Sequence, residues 1–187
     1  MPERSVSQQK QLIRQEYKKL RDTLDNSYAT TATEKIAKNF YDLVISKSNI
    51  TSIGLYWPVN SEIDITPIIK KLRLDGFVCA LTRIDRDKMD FVEYTENSTM
   101  QQSQFSFYEP TGSKLVIPDI IAVPLLTCDT QRNRLGYGKG FYDRYLTKNK
   151  SVSVGISYGK LIYNGTLPQE SHDIKLDAVV TESTIII

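Results

Sequence analysis

Between residues 134 and 146 the chain reads Arg134-Leu135-Gly136-Tyr137-Gly138-Lys139-Gly140-Phe141-Tyr142-Asp143-Arg144-Tyr145-Leu146, a stretch that gathers groups able to handle an anion. Glycine at three alternate positions lets the backbone come close to a ligand, and a helix starting after Gly140 would add free N–H groups and a partial positive charge. Arg134 and Lys139 bring cationic side chains, and Asp143 brings hard oxygens suited to magnesium. Phosphate is the anion this combination predicts; a tight turn with no ligand is the competing reading. The pattern is neither the Walker loop, which needs Gly-Lys-Ser/Thr, nor the dinucleotide fingerprint, which needs glycine or alanine where Phe141 stands.

Such a turn must be carried by an α/β framework, and the rest of the chain has that texture. Residues Val6 to Leu24 lack Gly and Pro and repeat Ile13, Tyr17, Leu20 and Leu24 at helical steps, with Lys10, Arg14, Lys18 and Arg21 making a basic stripe. A second helix is expected over Thr31 to Ser46. Short β-rich runs follow at Ile53–Trp57, Phe77–Leu81, Met89–Tyr94, Asp119–Val123, Val152–Ser157 and Ala178–Thr181. Between the first two, Thr66 is expected to cap a helix, Pro67 to occupy its first turn and Gly76 to end it. Strand, helix, strand implies parallel pairing through a crossover. The polar stretch Asn97 to Ser113 reads as loop.

With 187 residues, 40% hydrophobic, the chain suits one domain spanning 1–187 with one well-buried core. Twenty-four basic against 22 acidic side chains leave +2, too balanced for a protein that coats nucleic acid. The N-terminal residues from Met1 to Ser5 lack the apolar run of a signal peptide, and Pro124 interrupts the apolar stretch Ile120–Leu126, so neither export nor a membrane span is expected. Cys79 and Cys128 are too few for a disulfide framework and read as reduced, buried thiols in cytoplasm.

The segment from Arg134 to Arg144 closely resembles the defining motif of the 5-formyltetrahydrofolate cyclo-ligases, also called methenyltetrahydrofolate synthetases. Lys10 to Arg14 resembles that family's N-terminal basic motif. Tyr56-Trp57-Pro58-Val59-Asn60-Ser61-Glu62-Ile63 resembles its substrate segment, and His172-Asp173 with Asp177 and Thr181-Glu182 its C-terminal end. The resemblance runs over nearly the whole chain. It implies a three-layer α/β/α sandwich with a mostly parallel central sheet, of the type shared with sugar-phosphate isomerases and CoA transferases.

It also implies an ATP- and magnesium-dependent cyclisation of 5-formyltetrahydrofolate to 5,10-methenyltetrahydrofolate, by a protein expected to act as a monomer without nucleic-acid or membrane partners. The implied ATP contacts are Lys10, Arg14, and Arg134, Leu135, Gly136, Tyr137, Gly138, Lys139, Gly140, Phe141 and Tyr142. Trp57 and Glu62 would meet the pterin, with Tyr137 to Phe141 shared between the two substrates. Asp143 and Asp173 would hold magnesium, whereas His172 and Asp177 read as structural. Two rival classes are a nucleotide-binding module without turnover and a serine hydrolase using Ser157 of Gly155-Ile156-Ser157-Tyr158-Gly159, an elbow-like sequence.

Overall fold

The computed structural model describes residues 4–187; Met1 to Glu3, on which the reading of the N-terminus partly rests, lie outside the described residues. Two helices lead. α1 (Val6–Asp22) is capped by Ser5 in a capping box with Gln8, and α2 (Asn26–Ile45) by Asp25, whose carboxylate accepts from the Tyr28 N–H at 3.0 Å. α2 thus starts about a turn before Thr31, because an Asp N-cap outweighs the polar, β-branched run behind it.

The sheet starts with β1 (Ser52–Leu55), followed by α3 (Thr66–Leu74), β2 (Val78–Asp85) and β3 (Lys88–Glu93). Thr66 does not cap α3: Ile65 stands at the cap, and the Asp64 carboxylate accepts from the Thr66 N–H and hydroxyl at 2.9 and 2.7 Å. Pro67 lies in the first turn, as expected. The stretch 97–113 is not simply loop, because β4 (Met100–Gln102) and β5 (Tyr108–Pro110) form a hairpin there. The chain continues through β6 (Leu115–Val116), β7 (Ile120–Pro124), the short pair β8 (Thr127–Cys128) and β9 (Arg134–Leu135), then α4 (Phe141–Lys148), β10 (Val152–Ile156), β11 (Ala178–Val180) and β12 (Ile185–Ile186).

The main sheet runs β12-β11-β10-β7-β1-β2-β3-β6. Its centre, from β11 to β2, is parallel, and the antiparallel strands β12, β3 and β6 close its two sides. Alternate residues of each central strand enter different cores. Ile53, Leu55, Ile120, Ala122, Val154 and Ile156 pack with Ile36 and Phe40 of α2 and Leu72 of α3. Ile121, Val123 and Val179 pack on the other face with Phe91 of β3 and Tyr145 of α4. Helices on both faces of one sheet make the three layers.

β1 has to be thin on the second face. A Cβ on Gly54 would lie 2.7 Å from Phe91, 2.8 Å from Ile121 and 2.9 Å from Pro118. Gly54→Ala is therefore expected to cost about 2 kcal/mol by overpacking, a fall in the thermal midpoint of roughly 4–8 °C. A melt within a degree of the parent would show that the second core yields more easily than its packing suggests.

Candidate active site

From β1 the chain goes to β2 on one side, and it later enters β7 on the other, so the sheet has a switch point at the carboxyl ends of β1 and β7. Ligands of open α/β sheets gather at that crevice. Here it holds a cavity of about 500 Å³, with Tyr56 and Trp57 just past β1, Thr82 and Ile84 of β2, and Pro124 at the end of β7 on its walls. Every site residue expected from the sequence lines it, from Lys10 and Arg14 through Trp57 and Glu62 to the turn Arg134–Asp143 and Asp173.

The glycine-rich turn forms one wall. Gly138 and Gly140 have φ of +86° and +67°, a region that side chains enter at a cost, and Gly140 is the N-cap of α4. The amides that open α4 have no side-chain cap and are free for an anion. Arg14 reaches over from α1, its Nε donating to the Gly136 carbonyl at 3.0 Å. Lys139 is exposed, and among the described residues its ammonium has no hydrogen-bond or ion-pair partner.

The remaining charged groups are already engaged. Arg134 donates from Nη2 to Asp143 Oδ1 at 2.7 Å and from Nη1 to the Ile174 carbonyl, while the Ile174 N–H donates to the same Asp143 oxygen at 3.0 Å. Lys10, 1% exposed, is held by Glu170 Oε2 at 2.9 Å and by Asp173 Oδ2. Desolvation pushes Asp173 up, but the Glu170 amide and Lys10 outweigh it and hold its carboxyl below the usual range. Among the described residues the acidic and imidazole groups that converge closely enough to share an ion are Glu170, His172 and Asp173, within 4.8 Å of one another; Asp143 is not in that group. His172 therefore lines the cavity rather than the core, and its side chain is 69% exposed.

The opposite wall is aromatic. Trp57 stacks edge-on to Tyr94 and Tyr108, and Phe105 to Phe141 of α4. Phe105 and Phe107 reach the cavity from the β4–β5 hairpin, a contribution hidden in a stretch whose polarity reads as loop. Burial pushes the Glu62 carboxyl above its ordinary value, against the Val59 N–H, which donates to it at 3.0 Å, and the charge of Arg21. Burial also raises the phenols of Tyr56 and Tyr142, which stay neutral donors.

Ser157 is no nucleophile elbow. It is 2% exposed, its hydroxyl donates to the Tyr158 carbonyl at 3.2 Å, and a 3₁₀ turn at Gly159–Leu161 follows instead of a helix. Cys79 and Cys128 are buried, and burial pushes both thiols up to about 12, as inert core cysteines require. No helix among the described residues is long and apolar enough to cross a membrane.

A parallel-centred sheet with a crevice at its switch point, walled by a glycine-rich turn and an aromatic cleft, defines an α/β enzyme with a small-molecule site. The sequence model of the 5-formyltetrahydrofolate cyclo-ligase family matches residues 6–182. The 5-formyltetrahydrofolate cyclo-ligase of Haemophilus influenzae is 31% identical over 182 residues, covering 91% of this chain and 96% of that protein. The Escherichia coli K12 enzyme of the same name is 29% identical over 145 residues, 72% of this chain and 79% of that one. Among solved structures, the 5,10-methenyltetrahydrofolate synthetase of Aquifex aeolicus superposes with a TM-score of 0.83 at 28% identity, covering 94% of this chain and 91% of that one. The synthetase of Mycoplasma pneumoniae, at 22% identity and a TM-score of 0.74 over 92% and 98% of the two chains, shares the fold. This chain is an enzyme of the 5-formyltetrahydrofolate cyclo-ligase family.

Proposed function

We propose that the chain closes 5-formyltetrahydrofolate to 5,10-methenyltetrahydrofolate at the expense of ATP, acting as a cytoplasmic monomer. The observation that carries this reading is that one cavity has a phosphate-type turn on one wall and an aromatic cleft with a partly buried carboxylate on the other. A phosphoryl donor and a flat heterocycle can meet there. The formyl oxygen attacks the γ-phosphorus and ADP leaves. N10 of the folate then attacks the activated carbon and loses its proton, and the C–O bond breaks to release phosphate. Such a transfer needs positioning and charge neutralisation more than covalent help from the protein.

The amides and side chains from Arg134 to Tyr142, with Lys10 and Arg14, receive the nucleotide in this reading. For magnesium, Asp143 keeps a second carboxylate oxygen beyond the one given to Arg134 and Asp173 one beyond that given to Lys10, and of the two Asp173 stands in the cluster with Glu170 and His172 that can share an ion. Bound there, the ion would supply charge neutralisation for the phosphates. Trp57 packs on the pterin, and Glu62 accepts its N–H groups.

Glu62 has to be ionised for that task, and its carboxyl is raised by burial. Folate affinity should thus be full above that raised value and fall away as pH drops through it. Glu62→Gln should weaken folate binding on the order of tenfold or more, leave ATP binding nearly unchanged and flatten this acid limb. Equal folate affinity in the variant would remove the assignment. The reaction itself is tested by following the methenyl chromophore with purified protein while omitting ATP, magnesium or 5-formyltetrahydrofolate in turn. Product is expected only in the complete mixture; its absence with folded protein would leave a nucleotide-binding module without turnover.

A further inference from the structure

One buried cation beside the cavity has no part in the chemistry above. Arg21, in the last turn of α1, is 5% exposed. Its Nε donates to Ser61 Oγ at 3.0 Å, its Nη1 to the Leu125 carbonyl at 3.3 Å and its Nη2 to the Tyr137 hydroxyl. The guanidinium also lies 5.5 Å from the centre of the Tyr137 ring.

Each of these partners sits on a different part of the site. Ser61 adjoins Glu62 in the turn after β1, where the Glu62 amide donates to the Val59 carbonyl at 3.0 Å. Leu125 directly follows β7 at the switch point, and Tyr137 is in the glycine-rich turn. Ser61 is fixed from a second side as well, its hydroxyl donating to Asp22 Oδ1 at 2.5 Å. Behind the main cavity, Arg21 and Glu62 face a cleft of only about 10 Å³ that also touches Tyr56 and Leu125. That space is too small for a substrate, so the arginine acts on what its partners hold.

Desolvating a guanidinium is costly, and an apolar side chain of similar volume would serve the fold as well. What arginine adds is a planar set of donors that can hold three acceptors at fixed angles, which a lysine ammonium on a flexible stem cannot reproduce. We propose that Arg21 is a positioning residue: a rigid fork that fixes the folate-side turn at Ser61–Glu62 relative to the glycine-rich turn at Tyr137 and provides the countercharge for Glu62. This role in aligning two substrates rests on the cyclisation proposed above. The groups that face Glu62 are Arg21 from α1, Tyr56 past β1, Tyr137 in the turn and Tyr142 on α4, and Arg21 is the cation among them.

The test compares Arg21→Met, Arg21→Lys and Tyr137→Phe, first without any ligand. In a ¹³C NMR titration, Arg21→Met is expected to raise the midpoint of the Glu62 carboxyl by about one unit, and Arg21→Lys to restore most of the difference. Hydrogen exchange should speed up together at residues 59–62 and 136–140 in Arg21→Met. Tyr137→Phe alters a side chain that is 43% exposed and should fold normally; loosening of both turns is expected there too. In turnover, the KM for 5-formyltetrahydrofolate should rise on the order of tenfold in Arg21→Met, and adding Tyr137→Phe should cost less than the sum of the two single effects. An unchanged Glu62 midpoint in folded Arg21→Met overturns the proposal. Should that variant not fold, exchange at 59–62 in Tyr137→Phe indistinguishable from the parent overturns it. The ligand-free readouts decide on the fork whether or not the parent protein forms methenyl product, which separates its failure from that of the proposed reaction.

Discussion

Asp143→Ala is expected to lower turnover on the order of a thousandfold, the scale of several kcal/mol of charge stabilisation lost from a phosphoryl transfer. The same change also strikes the fold. Asp143 is the charge partner of Arg134, whose side chain is 7% exposed, and it accepts from the Ile174 N–H. Its removal leaves the guanidinium with the Ile174 carbonyl and the Ile174 N–H without its acceptor, a defect of about 3 kcal/mol for a partly buried pair broken on one side together with a lost amide bond. The thermal midpoint should fall by roughly 6–12 °C, which a domain of ordinary stability survives at 25 °C. Asp143→Asn separates the two effects, since its amide oxygen can still accept from Ile174 and Arg134 while the charge is gone. It should melt closer to the parent and turn over as poorly as the alanine variant. Full, magnesium-dependent turnover by the asparagine variant would eliminate Asp143 as a metal ligand.

The second large effect is expected at Gly140. With φ of +67° at the N-cap of α4, this position suits glycine and, less well, asparagine, while a β-branched residue is strained there by about 2–3 kcal/mol. A Cβ would also come within 2.8 Å of Arg144 Nη1, the group that holds the Lys139 carbonyl at 2.9 Å. Gly140→Val should therefore move the amides that open α4 and reduce kcat/KM for ATP on the order of a hundredfold, while Gly140→Asn retains more activity. Steady-state kinetics with ATP varied give the comparison. Equal ATP kinetics in the valine variant would mean that the phosphates lie away from this turn.

Features set by local spacing were readable in the chain itself. Alternating glycines ahead of Phe141 mark both the turn and the start of α4, and the short β-rich runs mark the central strands, which are buried on both faces. The cavity wall at Trp57 and Glu62 follows from where β1 has to end. Features set by distant partners were not readable. Nothing near Arg21 in sequence announces Ser61 or Tyr137, which lie 40 and 116 residues away. The β4–β5 hairpin escapes because its strands are three residues each and polar, so Phe105 and Phe107 look like isolated aromatics in a loop. Thr66 misleads because Asp64, two residues earlier, offers a stronger acceptor, and its carboxylate takes the bonds from the Thr66 N–H and hydroxyl. The carboxylates paired with Lys10 and Arg134 were legible as acids but not as ion-pair partners, since pairing is decided by the tertiary fold.

Lys10 and Asp173 are separated by 163 residues of chain. A ribosome adding roughly 5–20 residues each second exposes that ammonium first and its two carboxylates last, after an interval of roughly 8–30 s at those rates. Throughout that time α1 has no anchor at its amino end, so the nascent chain completes its catalytic crevice only in the closing moments of translation. Stalling synthesis before Glu170 should leave a polypeptide with most of its sheet strands and a leading helix held through Arg14 and Arg21 but loose at its amino end.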